Sequence, residues 1–244
     1  MPSWFISAET YQVDLKALLG RRLSQAGASF ALDTAPGGAI AVTLRGAYAR
    51  ESLAQALGRL LAHDLQTLEL AGMADKLPLT LAEKEAVLTE AIAHARRREQ
   101  LDALQGELAA YLGENRRIAL DGYMRFRMRG QLLLWQLCVQ QAAAEHLLQM
   151  EFFELMQAMG KLADTQKNRI GELRLCIHAE GTYTLTDDSD VRIEYIDYSP
   201  EGIVQILTGM APGRIVVYDL AGTPSTRLTD ALRQVFPGRV QIYR

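Results

Sequence analysis

The sequence predicts an α+β protein in three segments: a small N-terminal α/β unit over residues 1–76, a central long-helix hairpin over 77–168, and a C-terminal mixed β-sheet over 169–244 with helices packed on it. Three observations carry this reading. Apolar residues recur at intervals of three and four between Ile118 and Gln166, the spacing of a helix face. After Gln166 the pattern alternates, with Leu173, Leu175 and Ile177 two apart, the period of a strand. Before Pro78, short strand and helix patterns follow one another, separated by glycine and proline.

Ser3 to Ala8 reads as a strand, and about Thr10 to Gln25 as a helix stopped at Gly27. Phe30–Thr34 and Ala39–Leu44 are two strands joined by a Pro36-Gly37-Gly38 turn. A long helix over about Ala49–Leu70 completes the first segment. Thr80, with Glu83 three residues on, is a capping-box pattern that starts the next helix. That helix reaches Tyr111, with a break near Arg96–Arg98 or an extended course along the central segment, and Gly113–Arg117 is the turn between them. In the central segment one stripe runs Tyr123, Phe126, Gly130, Leu133, Leu137, Ala144, Leu148, and a second Met124, Met128, Trp135, Cys138, Ala142. From Leu132 to Val139 only Gln136 is polar, so burial nearly all round is expected there. The C-terminal segment reads as a meander, with turn signals at Glu180-Gly181 and Asp187–Asp190, followed by strand–helix–strand crossovers, a pattern that implies a mixed sheet.

Hydrophobic residues at 49% and charged residues at 23% are ordinary for a globular protein. A net charge of −3 exerts no global pull toward nucleic acid or an anionic membrane. Two cysteines, Cys138 in the apolar helix and Cys176 in a strand, read as buried thiols in a reducing compartment, with the cytoplasm expected. The start MPSWFISAE lacks a signal-peptide pattern, and no segment approaches the roughly 20 apolar residues of a bilayer-spanning helix. No membrane partner is expected.

The densest charge is Arg116, Arg117, Arg125, Arg127 and Arg129. Two readings are open: an anion site for phosphate, nucleic acid or an acidic partner, or structural ion pairs with neighbouring carboxylates, which is favoured. Asp121, four residues before Arg125, suits an intrahelical ion pair. A step of about 100° per residue puts Arg125 and Arg129 on one face and Arg127 nearly opposite. Arg127 is therefore expected at the core edge beside Tyr123 and Phe126, with a structural role. Arg125 and Arg129 are expected to be exposed as the binding residues. His63, His94, His146 and His178 are scattered and lack metal-ligand spacing, and the Asp187, Asp188, Asp190 turn lacks the remainder of a calcium loop. Gly222-Thr223-Pro224-Ser225 before a helix reads as ordinary capping, not as a phosphate site. Glu151 and Glu154 lie a turn apart without a recognisable catalytic partner, and GxSxG, CxxC and HExxH are absent. No catalytic residue, metal or cofactor is assigned.

LDGYMRFRMRG, Leu120–Gly130, resembles the E-G-[FY]-x-x-F-R-[LM]-[KR] signature of the YtxC-like proteins of spore-forming bacteria, with Asp121 in the place of the glutamate. Glu151–Gln166 resembles that family's following helix, which ends in a glutamine, and Leu207–Asp219 resembles its alanine-proline followed by a basic residue opening a strand. Gly122, Phe126, Arg127, Gln166 and Pro212 match the motifs, and Asp121 occupies the position of the glutamate. At the end of that last strand, where the family commonly has histidine, this chain has Tyr218-Asp219. The resemblance covers roughly residues 80–244. It implies a role in sporulation and names no activity. The expectation is a non-enzymatic adaptor or regulatory protein with a protein partner in sporulating cells. The alternative is a nucleic-acid-binding protein using the Arg116–Arg129 stretch, and an enzyme with dispersed catalytic residues is a third reading.

Overall fold

The computed structural model describes residues 3–243 apart from 99, 180–181, 190, 196–198 and 222–225, with backbone alone at 192–195. The expected Glu180-Gly181 and Gly222–Ser225 turns and Asp190 lie outside the described residues. The chain divides into two compact units, Met1–His146 and Leu147–Arg244.

The first unit contains β1 (Ser3–Ser7), α1 (Leu15–Gln25), β2 (Ser29–Thr34), β3 (Ile40–Arg45), α2 (Ala49–Arg59), α3 (Gln66–Ala74), α4 (Leu81–Arg97), α5 (Leu101–Glu114), β4 (Arg117–Ala119), α6 (Leu120–Arg127) and the first half of α7 (Arg129–Thr165). The sheet order is β2-β3-β1-β4. β1 is antiparallel to β3 and parallel to β4, and Ile6 stands opposite both Ile40 and Ile118. Trp4, Ile6, Val42 and Ile118 point into a core completed by Leu19, Leu23, Leu53 and Leu57. The Trp4 indole donates to the Leu112 carbonyl at 3.2 Å. The turn at Pro36–Gly38 joins β2 to β3, and Gly27 ends α1 in the left-handed conformation at φ 67°. Both capping-box bonds form: the Thr80 amide donates to Glu83 at 2.7 Å and the Glu83 amide to the Thr80 hydroxyl at 3.4 Å. The expected break falls between α4 and α5.

Several elements differ from the sequence reading. α1 starts at Leu15 because Asp14 accepts from the Ala17 amide, at 2.9 Å, and so caps the helix there. The expected Ala49–Leu70 helix is interrupted by a wide π-type turn over Leu60–Leu65. The central segment opens with β4, whose backbone pairs with β1, and its helix breaks at Met128 (φ −106°, ψ 27°). That break resets the helical phase. Met124, Met128, Trp135, Cys138 and Ala142 are buried, whereas Phe126, Leu133 and Leu137 are 72%, 62% and 52% exposed. Leu132–Val139 is thus buried on one side only.

The second unit contains the second half of α7, then β5 (Ile170–Ile177), β6 (Tyr183–Asp187), β7 (Arg192–Tyr195), α8 (Pro200–Met210), β8 (Pro212–Asp219), α9 (Thr226–Val235) and β9 (Val240–Tyr243). The expected mixed sheet has the order β7-β6-β5-β8-β9. β7, β6 and β5 form an antiparallel meander, and the β5–β8 and β8–β9 pairs are parallel, with α8 and α9 on the connections. Leu173, Leu175, Ile177, Ile215 and Val217 share a core with Met156 and Met159 of α7 and Leu207 of α8. Asp187 accepts from the Ser189 and Val191 amides, both at 2.9 Å, so it shapes a turn. Cys138 and Cys176 are unbonded thiols. Among the described residues no helix is long and apolar enough to cross a membrane.

Candidate functional site at the α6–α7 junction

β4 runs directly into α6, so pairing of β4 with β1 fixes where the arginine-rich turn stands. Asp121, in the first turn of α6, accepts from the Glu9 amide at 2.7 Å and the Thr10 amide at 3.2 Å. It ties the chain leaving β1 to α6, and it does not form the expected ion pair with Arg125. Gly122 is half-buried, and a Cβ there would meet only Ala119 at an ordinary 3.9 Å. Tyr123 is buried edge-on against Tyr111, with ring centroids 5.5 Å apart. Burial pushes its phenol up to about 12, and Glu107 adds to the shift. Tyr11 donates to Glu69 and touches the Met124 sulfur at 3.3 Å. Burial first, and then the bond to Glu69, raise its pKa.

Arg125, Arg127 and Arg129 are all exposed. The structural role expected of Arg127 is corrected here: Phe126 turns to solvent instead of the core, so Arg127 is not held at a core edge. Arg116 lies 5.0 Å over Trp4, Arg117 5.5 Å over Phe5, Arg127 5.9 Å over Tyr111 and Arg129 5.8 Å over Phe126. The Arg129 Nε also donates to the Arg125 carbonyl at 3.1 Å. None of these five guanidiniums is ion-paired with a described residue; in place of the favoured structural ion pairs, four of them, Arg116, Arg117, Arg127 and Arg129, stack on aromatic faces. Phe126, Arg125, Arg129, Leu133 and Leu137 are exposed, with no covering element among the described residues.

Beside it lies a pocket of about 190 Å³. It opens where two helix breaks meet, at Met128 and before Leu101, and Ala62 of the π-type turn also reaches it. Gln66, with its amide oriented to satisfy both neighbours, donates to the Ala62 carbonyl at 2.7 Å and accepts from the Trp135 indole at 2.9 Å. Sequence reading missed this site, because Glu107, Trp135 and Arg127 come from three helices and no local pattern joins them.

The other candidates stand apart. His94 pairs with Glu145 at 2.9 Å, His146 lies 3.9 Å from Glu83, and His178 bonds the Thr184 hydroxyl at 2.8 Å. Glu151 and Glu154 are exposed. In the second unit Gln166 follows the end of α7, and buried Pro212 opens β8 opposite Ile170, a strand position that needs no N–H donor.

The architecture is that of an α+β protein with two helix-covered sheets. Residues 67–241 match the sequence model of the YtxC-like family, and the chain belongs to that family. No curated protein and no solved structure matches the chain.

Proposed function

We propose that this chain is a non-enzymatic adaptor or regulatory protein of sporulating cells, which binds a protein partner through Phe126, Arg125, Arg129 and the exposed leucines at the start of α7. Family membership supports the cellular setting. The observation that carries the binding reading is Phe126, 72% exposed beneath a guanidinium with no carboxylate partner among the described residues. Aromatic and arginine side chains dominate the energetics of protein interfaces, because each buries a large area on binding while arginine adds directed hydrogen bonds. A contiguous apolar patch rimmed by charge marks such a surface.

The uncompensated arginines also favour a second reading, nucleic-acid binding along Arg116–Arg129. Capture from sporulating cells with the wild-type chain and with a Phe126→Ala/Arg129→Glu variant tests the first. A partner retained by the wild type and lost by the variant is expected. Anisotropy titrations with single- and double-stranded oligonucleotides test the second. Sub-micromolar binding at physiological salt, steeply salt-dependent and lost in an Arg125→Ala/Arg129→Ala variant, would replace the adaptor reading.

A further inference from the structure

The pocket at the α6–α7 junction carries one cation and one anion. Arg127 and Glu107 both line it, and neither is ion-paired with any described residue. The amide side chain of Gln131 lines it too, and Leu104, Met128 and Trp135 supply an apolar wall. Trp135 and Met128 are buried, and the indole is pinned through Gln66, so this wall is formed before any ligand arrives. The volume of about 190 Å³ exceeds the roughly 150 Å³ of an engineered cavity that accommodates benzene, and it lies below the range of drug-sized sites. A simple anion would meet repulsion from Glu107, and a simple cation would meet repulsion from Arg127. A molecule bearing both charges satisfies both, and an apolar tail finds the Leu104–Met128–Trp135 wall.

We propose that this pocket binds a small zwitterion with an apolar tail, a free α-amino acid of about leucine size. Its carboxylate faces Arg127, its ammonium faces Glu107, and its side chain lies against Trp135. The site is separate from the partner-binding surface, and its occupancy does not depend on the adaptor reading.

Titration of the intact chain with L-leucine, followed by calorimetry and tryptophan fluorescence, tests this. Saturable heat and a fluorescence change are expected, Trp135 being one of only two tryptophans and Trp4 lying in the sheet core. Leucinamide, which lacks the carboxylate, and 4-methylpentanoate, which lacks the ammonium, should each bind at least about tenfold more weakly. Arg127→Gln and Glu107→Gln should each cost a similar factor. Gly130 lines the pocket and a Cβ there meets nothing within 4 Å, so Gly130→Phe should block binding while circular dichroism stays that of a folded chain. No saturable signal up to about 10 mM leucine, equal binding of 4-methylpentanoate, or binding untouched by Gly130→Phe would each overturn the proposal.

Discussion

Asp121 holds two backbone amides that the end of β1 would otherwise leave to water. Asp121→Ala should cost about 1–2 kcal/mol in a urea melt, the scale of hydrogen bonds to a charged acceptor that is only partly buried. Arg127→Ala should change stability by under about 0.5 kcal/mol, because an exposed guanidinium over one ring contributes little to folding. Tyr123 adds a pH dependence. Its folded pKa of about 12 lies above the ordinary 10, so its contribution is complete below pH 10 and is lost as pH rises from 10 toward 12. Tyr11 and Tyr183 shift in the same direction. In an alkaline absorbance titration, these three of the nine tyrosines should ionise late in the folded chain and normally in urea. Tyr123→Phe should remove one late step and flatten the fall in stability above pH 10.

At the scale of elements, the π-type turn and the Met128 break work together. The turn presents the Ala62 carbonyl, Gln66 takes it, and the same amide accepts from Trp135 just beyond the break. Gln66→Leu would leave the buried Trp135 indole N–H without its acceptor. A loss of roughly 1–3 kcal/mol is expected, the cost of one buried unpaired group. By contrast, Leu133→Gln and Leu137→Gln lie on the open side of α7. They should leave the melting temperature nearly unchanged while weakening partner capture, a split that a core position would not show. The periodicity of α7 was legible in the sequence, but which of its two apolar stripes faces inward was not. A single non-helical residue, Met128, sets the phase, and no local pattern announces it.

At the scale of the molecule, β4 decides how the first unit closes. β1 takes its parallel neighbour from residues 117–119, and Trp4 takes its acceptor from Leu112, so the early sheet and the later helices share one core. A fragment ending at residue 76 should therefore give a broad, low-amplitude thermal transition by circular dichroism, where the intact chain melts cooperatively. A sharp melt of that fragment would show that α1–α3 and three strands suffice. The sequence by itself determined the α+β class, the capping box, the hairpin turn, the C-terminal meander followed by strand–helix–strand crossovers, and the family, because each is written in local periodicity, turn chemistry or a contiguous motif. Only the tertiary structure decided that Arg116, Arg117, Arg127 and Arg129 stack on aromatic rings instead of pairing with carboxylates, that Phe126 faces water, and that Arg127 and Glu107 share a pocket. The physical reason is that those relations join residues from separate elements, and their geometry follows from how the helices break and pack, which no single stretch of the chain encodes.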